Sequence, residues 1–306
     1  MTALADAGVE YLVLRRAVGF KLGGADSRLA DFAIFAEAHG ADRVTDALAQ
    51  EWSSGAASAG GCSDRMSMVR CFARWFQALD PTSEVPPAGL LVSPKHRRAP
   101  YLYSAADVAA LMAAARDLDP PLHAATCETV IGVLAATGMR VGEVLRLDRD
   151  DVAWDEATLT VWHTKFNKSR LVPLSPTTLA ALAAYDQLRQ ASASGPVTPA
   201  LFVAVTGRRL DYHRFRVAFL DVLDTAGIVT RPGARPGRIH DLRHSFAVAT
   251  VIRWYRDGQD VQAMLPRLST YLGHVDPAST YWYLSAAPEL LSLAAERLEA
   301  HMAAVS

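Results

Sequence analysis

The sequence predicts a mainly α-helical protein of two domains, with one small β-hairpin in the second. Three observations carry this. Apolar residues recur at helical spacing through most of the 306 residues. One stretch, Leu159-Thr-Val-Trp-His-Thr164, alternates as a strand does, and Arg170-Leu-Val-Pro-Leu174 supplies its return partner. A break beginning at Asp80-Pro81 and running through Pro86, Pro87, Pro94 and Pro100 divides the helical pattern in two. With 51% hydrophobic residues the chain has ample material for two cores.

In the first domain the spacing predicts helices over 9–20, 27–39, 45–52 and 64–79. Between the last two, Ser53-Ser-Gly-Ala-Ala-Ser-Ala-Gly-Gly61 reads as a pliable Gly/Ser connection. The proline break follows, and it carries Lys95, His96, Arg97 and Arg98. Boundaries are therefore expected at 1–92 for the helical domain, 93–103 for a basic linker and 104–306 for the second domain. Ser104, three residues before Asp107, is the signature of a capping box and starts a helix. Cys127–Thr137 is an apolar helix stopped by Gly138, and Val141–Leu147 reads as another. The acidic stretch from Asp148 to Glu156 is expected as a turn, and the hairpin follows with lysines at its tip. Helices are expected again over 176–190, 212–226, 241–257, 265–273 and 288–302. On the last of these, Leu290, Leu291, Ala294, Leu298 and Met302 form an apolar stripe.

No run of apolar residues is long enough for a membrane helix, and the first residues lack a signal pattern, so a soluble cytoplasmic protein is expected. Three cysteines without CxxC spacing argue against a disulfide framework or a structural zinc site. The net charge of −1 hides an uneven distribution, because segment 161–270 alone stands at +8. Its positives include Lys165, Lys168, Arg170, Arg208, Arg209, Arg238 and Arg243, a mostly arginine surface of the kind a phosphate backbone selects.

Three local patterns carry chemistry. In Ala136-Thr-Gly-Met-Arg140-Val-Gly-Glu143 a glycine turn delivers an arginine to a helix start with a glutamate on the same face; this is either a phosphate-binding arginine or an ordinary surface pair. In His240-Asp-Leu-Arg243-His244, His240 and Arg243 share a face and can together donate to a phosphoryl oxygen. The i, i+4 spacing of His240 and His244 also suits zinc, but the second position holds Asp241 rather than a zincin glutamate, and Arg243 brings positive charge. In Leu272-Gly-His274-Val-Asp-Pro-Ala-Ser-Thr-Tyr281-Trp-Tyr283, a tyrosine is either core packing or a covalent nucleophile towards an electrophile whose charge is neutralised.

Together these patterns, ATGMRxGE, TKxxKxRxVPL, HDLRHSFA and LGH with a tyrosine nine residues on, resemble in order and spacing the tyrosine recombinase, or phage integrase, family. Weaker likeness around Tyr11–Lys21 and Tyr281–Glu289 resembles its transposon-borne branch. The resemblance implies a two-domain DNA clamp, a helical core-binding domain plus a catalytic domain, acting as a site-specific recombinase on double-stranded DNA through a 3′-phosphotyrosyl intermediate. It implies Arg140 and Arg243 on the scissile phosphate, His240 and His274 as hydrogen-bond donors, Lys165 as general acid, Tyr283 as nucleophile and Glu143 as structural support. No metal and no cofactor are implied, since the phosphotyrosine conserves the bond energy. Lys95, Arg97, Arg98, Lys168, Arg170, Arg208, Arg209 and Arg238 are the expected further DNA contacts. The implied partners are DNA and three further recombinase subunits, in a homotetramer or a heterotetramer with related recombinases, with the last helix docking on a neighbour. A type IB topoisomerase and a non-catalytic DNA-binding accessory protein are the alternatives.

Overall fold

The computed structural model describes residues 3–20, 22–90, 100–162, 169–192, 198–228 and 237–273. The chain divides into two compact units, Met1–Arg97 and Arg98–Ser306. The described residues are mainly helical, with a small antiparallel sheet of three strands, as the sequence predicts.

The first unit holds four helices, α1 (Ala3–Ala17), α2 (Ala25–Ala38), α3 (Asp46–Ser54) and α4 (Ala59–Phe76). Helix α1 starts earlier than the spacing predicts because alanines favour helix and Leu4 and Ala7 are buried with Tyr11 and Leu12. Thr45 caps α3 by accepting from the Leu48 amide at 3.2 Å. Phe32 packs edge-on to Trp52, and Tyr11 edge-on to Phe72. The Gly/Ser stretch is not the long connection expected. Helix α4 begins inside it, at Ala59, because the Ser58 hydroxyl accepts from the Gly61 amide at 3.1 Å. Arg65, one turn further on, stacks over Trp52 and donates to its carbonyl oxygen at 3.0 Å, which ties the start of α4 to the end of α3.

The second unit opens with α5 (Ala105–Arg116), α6 (Pro121–Thr137) and the single turn α7 (Val141–Val144). Ser104 and Asp107 cap α5 reciprocally, as their spacing predicts. Helix α6 is the centre of the unit, packed against α5, α8, α9 and α10, and it ends at Gly138, whose φ of 61° only glycine adopts without strain. The sheet is β1 (Val152–Ala153), β2 (Thr158–Val161) and β3 (Arg170–Pro173) in that order. Leu159 faces Val172, and both are fully buried. Beyond it lie α8 (Pro176–Ala191), α9 (Tyr212–Thr225), α10 (Ile239–Arg256) and α11 (Val261–Leu272).

Three expectations fail locally for visible reasons. The predicted helix 141–147 stops after one turn because the Leu145 and Leu147 carbonyls turn out to accept from Arg209. The acidic stretch is not all turn, since Val152 and Ala153 pair with Leu159 and Thr158. Helix α11 begins four residues early, capped by Asp260, and carries Pro266 inside it. A proline reads as a break in the pattern, yet α11 runs on through Pro266 to Leu272. The helix expected at 288–302 lies outside the described residues.

Candidate active site

Arg140 and Arg243 come from different helices and are delivered to one place. Gly138 reverses the chain after α6, so Arg140 stands at the N-cap of α7 with its own amide bonded to Glu143 Oε2 at 3.0 Å. A side chain at 138 would also run into the Phe246 ring, so α10 approaches this turn closely. Arg243 lies on the facing side of α10, only 2% exposed, and donates to the carbonyls of Gly138 at 2.8 Å and Leu272 at 2.6 Å. Arg140 donates to the next carbonyl along, that of Gly273, at 2.9 Å. The turn after α6 and the C-terminus of α11 are thus joined by two guanidiniums. Carbonyls at a helix end are where such cations bind best, because the last peptide oxygens lack helical partners.

Glu143 completes the arrangement. Its carboxylate is 3% exposed and accepts from Arg140 at 2.9 Å, while Arg170 forks onto both of its oxygens at 3.2 and 2.7 Å. Burial alone would raise its pKa; the Arg170 hydrogen bonds and charge, and then Arg140, outweigh burial and hold it down at about 2. The carboxylate is therefore charged at any working pH and fixes two cations.

His240 sits in the first turn of α10, with its ring edge-on to that of His244 at 4.8 Å. Surrounding protein and then the Arg243 charge lower the His240 pKa, and burial followed by His240 takes His244 down to about 4. Both shifts favour the neutral ring, a form that still carries one N–H donor. Arg238 caps the same helix, mostly exposed, and is paired with the buried Asp241 at 2.8 Å.

The remaining expected residues separate. Lys165, Lys168, His274, Tyr281 and Tyr283 lie outside the described residues, as do Lys95, Arg97 and Arg98. Arg208 is exposed, whereas Arg209 turns inward to the Leu145 and Leu147 carbonyls and to Asp148. Arg170 is mostly buried against Glu143. Sequence reasoning placed it among DNA contacts and missed its partner; the arginine in the TKxxKxRxVPL pattern was the available signal. The backbone oxygens of Gly138, Leu272 and Gly273 carry no sequence signal at all. This division has a measurable consequence for DNA binding. Arg208→Ala is expected to lower the slope of log affinity against log salt by about one unit, with Arg209→Ala lowering stability instead. Titrations at several salt concentrations, with a thermal melt beside them, distinguish the two; an unchanged slope for Arg208→Ala removes it from the DNA surface.

Residues 103–289 match the sequence profile of the phage integrase family. The chain is 40% identical over 309 aligned residues to y4rB of Sinorhizobium fredii, described as an integrase/recombinase, covering 98% of each. It is 30% identical to the tyrosine recombinase XerC of Mycobacterium leprae, covering 79% of each. Among solved structures, it superposes on the Tn1549 transposon integrase in complex with transposon right end DNA with a TM-score of 0.68 at 14% identity, covering 98% of this chain and 99% of that one. The XerH site-specific recombinase bound to a palindromic difH substrate, in a post-cleavage complex, gives 0.65 at 18% identity, covering 90% of this chain and 78% of that one. At such identities these two likenesses speak for the fold.

Proposed function

The chain belongs to the phage integrase family, and from that membership we propose its activity: it is a site-specific DNA recombinase, an enzyme that cleaves and rejoins strands through a 3′-phosphotyrosyl intermediate. It binds double-stranded DNA. The observation that carries the reading is the pair Arg140 and Arg243, brought together with an ionised Glu143 between Gly138 and Gly273. Two guanidiniums fixed by buried acceptors are preorganised to neutralise the nonbridging oxygens of a phosphodiester, and the charge that develops there is where most of the catalysis lies.

In the proposed reaction the Tyr283 phenol gives its proton to water as its oxygen attacks the scissile phosphorus, and the bond from phosphorus to the 5′ oxygen breaks. Arg140 and Arg243 hold the nonbridging oxygens, His240 and His274 donate to them, and Lys165 gives its proton to the departing 5′ oxygen. Reversal by a 5′ hydroxyl from another strand rejoins the DNA. The lowered His240 pKa supports a neutral donor, which adds a hydrogen bond without competing for the leaving-group proton. Lys95, Arg97, Arg98, Lys168, Arg208 and Arg238 are proposed as further backbone contacts.

We further propose that four subunits, of this chain alone or with related recombinases, assemble on DNA, with 288–302 docking on a neighbour. Among the described residues, no helix is long and apolar enough to cross a membrane, and the protein is proposed to act in the cytoplasm.

A nicked suicide duplex tests the activity. The wild-type protein is expected to become covalently attached to the 3′ end of the cut strand, and to exchange strands between two marked duplexes. Relaxation of supercoils without exchange would mean a type IB topoisomerase, and binding without covalent attachment would mean an accessory protein.

A further inference from the structure

Arg170 is the first residue of β3, and its Cα partner across the ladder is Val161, the last residue of β2. Lys165 lies between the two in the sequence. At this point the strand is not held by the sheet alone. The Arg170 fork grips both oxygens of Glu143, and Glu143 in turn grips the Arg140 guanidinium and amide. A Cβ at Gly273 would lie 3.3 Å from one Arg170 nitrogen and 3.6 Å from an Arg140 nitrogen, so Gly273 lies beside both guanidiniums. One carboxylate therefore joins the start of β3 to Arg140. A lysine could match the charge, but its single ammonium cannot reproduce the fork.

Resting on the recombinase reading, we propose that Arg170 is a positioning residue for protonation of the leaving group: through Glu143 it fixes the start of β3, five residues after Lys165 in the sequence, to Arg140. It touches neither substrate nor the reacting atoms. Its effect falls on the step in which the 5′ oxygen leaves phosphorus and takes a proton from the Lys165 ammonium.

That step can be isolated chemically. When the bridging 5′ oxygen is replaced by sulfur, the bond broken is phosphorus to sulfur, and a thiolate departs without needing a proton. Arg170→Lys is expected to bind DNA as the wild type does, to cleave the ordinary nicked duplex about 10²-fold more slowly, the lower range for a positioned general acid, and to recover nearly wild-type cleavage on the sulfur substrate. Lys165→Ala, run in parallel, is expected to recover likewise. If Lys165→Ala recovers and Arg170→Lys stays slow on sulfur, or if Arg170→Lys cleaves the oxygen substrate normally, Arg170 does not act through the acid. If Lys165→Ala stays slow on sulfur, the assignment of the acid itself fails, and the positioning role with it. A thermal melt identifies a variant that does not fold. In that event Arg170→Gln, which keeps a hydrogen bond to Glu143 without the charge, is read in the same two assays.

Discussion

Tyr283→Phe is expected to bind DNA as tightly as the wild-type protein and to form no covalent adduct on a nicked duplex. Removing the phenol oxygen removes the atom proposed to bond to phosphorus, so the loss should be complete, while the arginines proposed to bind the phosphate are untouched. Tyr281→Phe is the matched control. If the segment is helical, the two positions differ by about 200° around the axis, so at most one of them faces a phosphate held by Arg140 and Arg243. The spacing from His274 selects Tyr283. Gel analysis of denatured complexes, followed by peptide mapping, decides it: an adduct that survives Tyr283→Phe, or one mapped to Tyr281, overturns the assignment.

Glu143→Gln should destabilise the second unit by about 3 kcal/mol, the low end for removing one member of a buried ion-pair network, because Arg140 and Arg170 are left facing each other without an anion. The effect should also depend on pH in a defined sense. The folded pKa of Glu143 is about 2 against an ordinary 4.5. A depressed carboxyl contributes its full stability above the unfolded pKa and loses it as pH falls towards the folded one. The gap between wild type and Glu143→Gln should therefore be widest above about pH 5 and should shrink steadily between pH 4.5 and pH 2. Denaturant unfolding followed by circular dichroism at pH 7 and at pH 3 measures it. Equal stabilities at pH 7 would show that the carboxylate does not hold the two arginines.

Glu143 also marks the border between what local sequence can encode and what it cannot. Much of the architecture is legible because its causes are local. The apolar spacing of α6, the Gly138 stop, the Ser104 and Asp107 cap and the alternation of β2 each depend on residues within a turn or two. So does the proximity of Arg140 to Glu143, three residues apart. The resemblance to a recombinase was carried by motifs whose order survives in one dimension, and the family match over 103–289 agrees with it.

What the sequence by itself determined is thus the helical class, the hairpin, the family and the residue types available for phosphate chemistry. The tertiary structure alone decided which of the positive residues are committed to acceptors within the protein. Arg170 and Arg209 read as the same kind of surface cation as Arg208, yet one is committed to a carboxylate and the other to two carbonyls and Asp148. The same holds for Arg243, whose acceptors at Gly138 and Leu272 are 105 and 29 residues away. The physical reason is that a guanidinium's role depends on which acceptor comes within about 3 Å. Backbone carbonyls are acceptors that every residue possesses, so no side-chain pattern announces them.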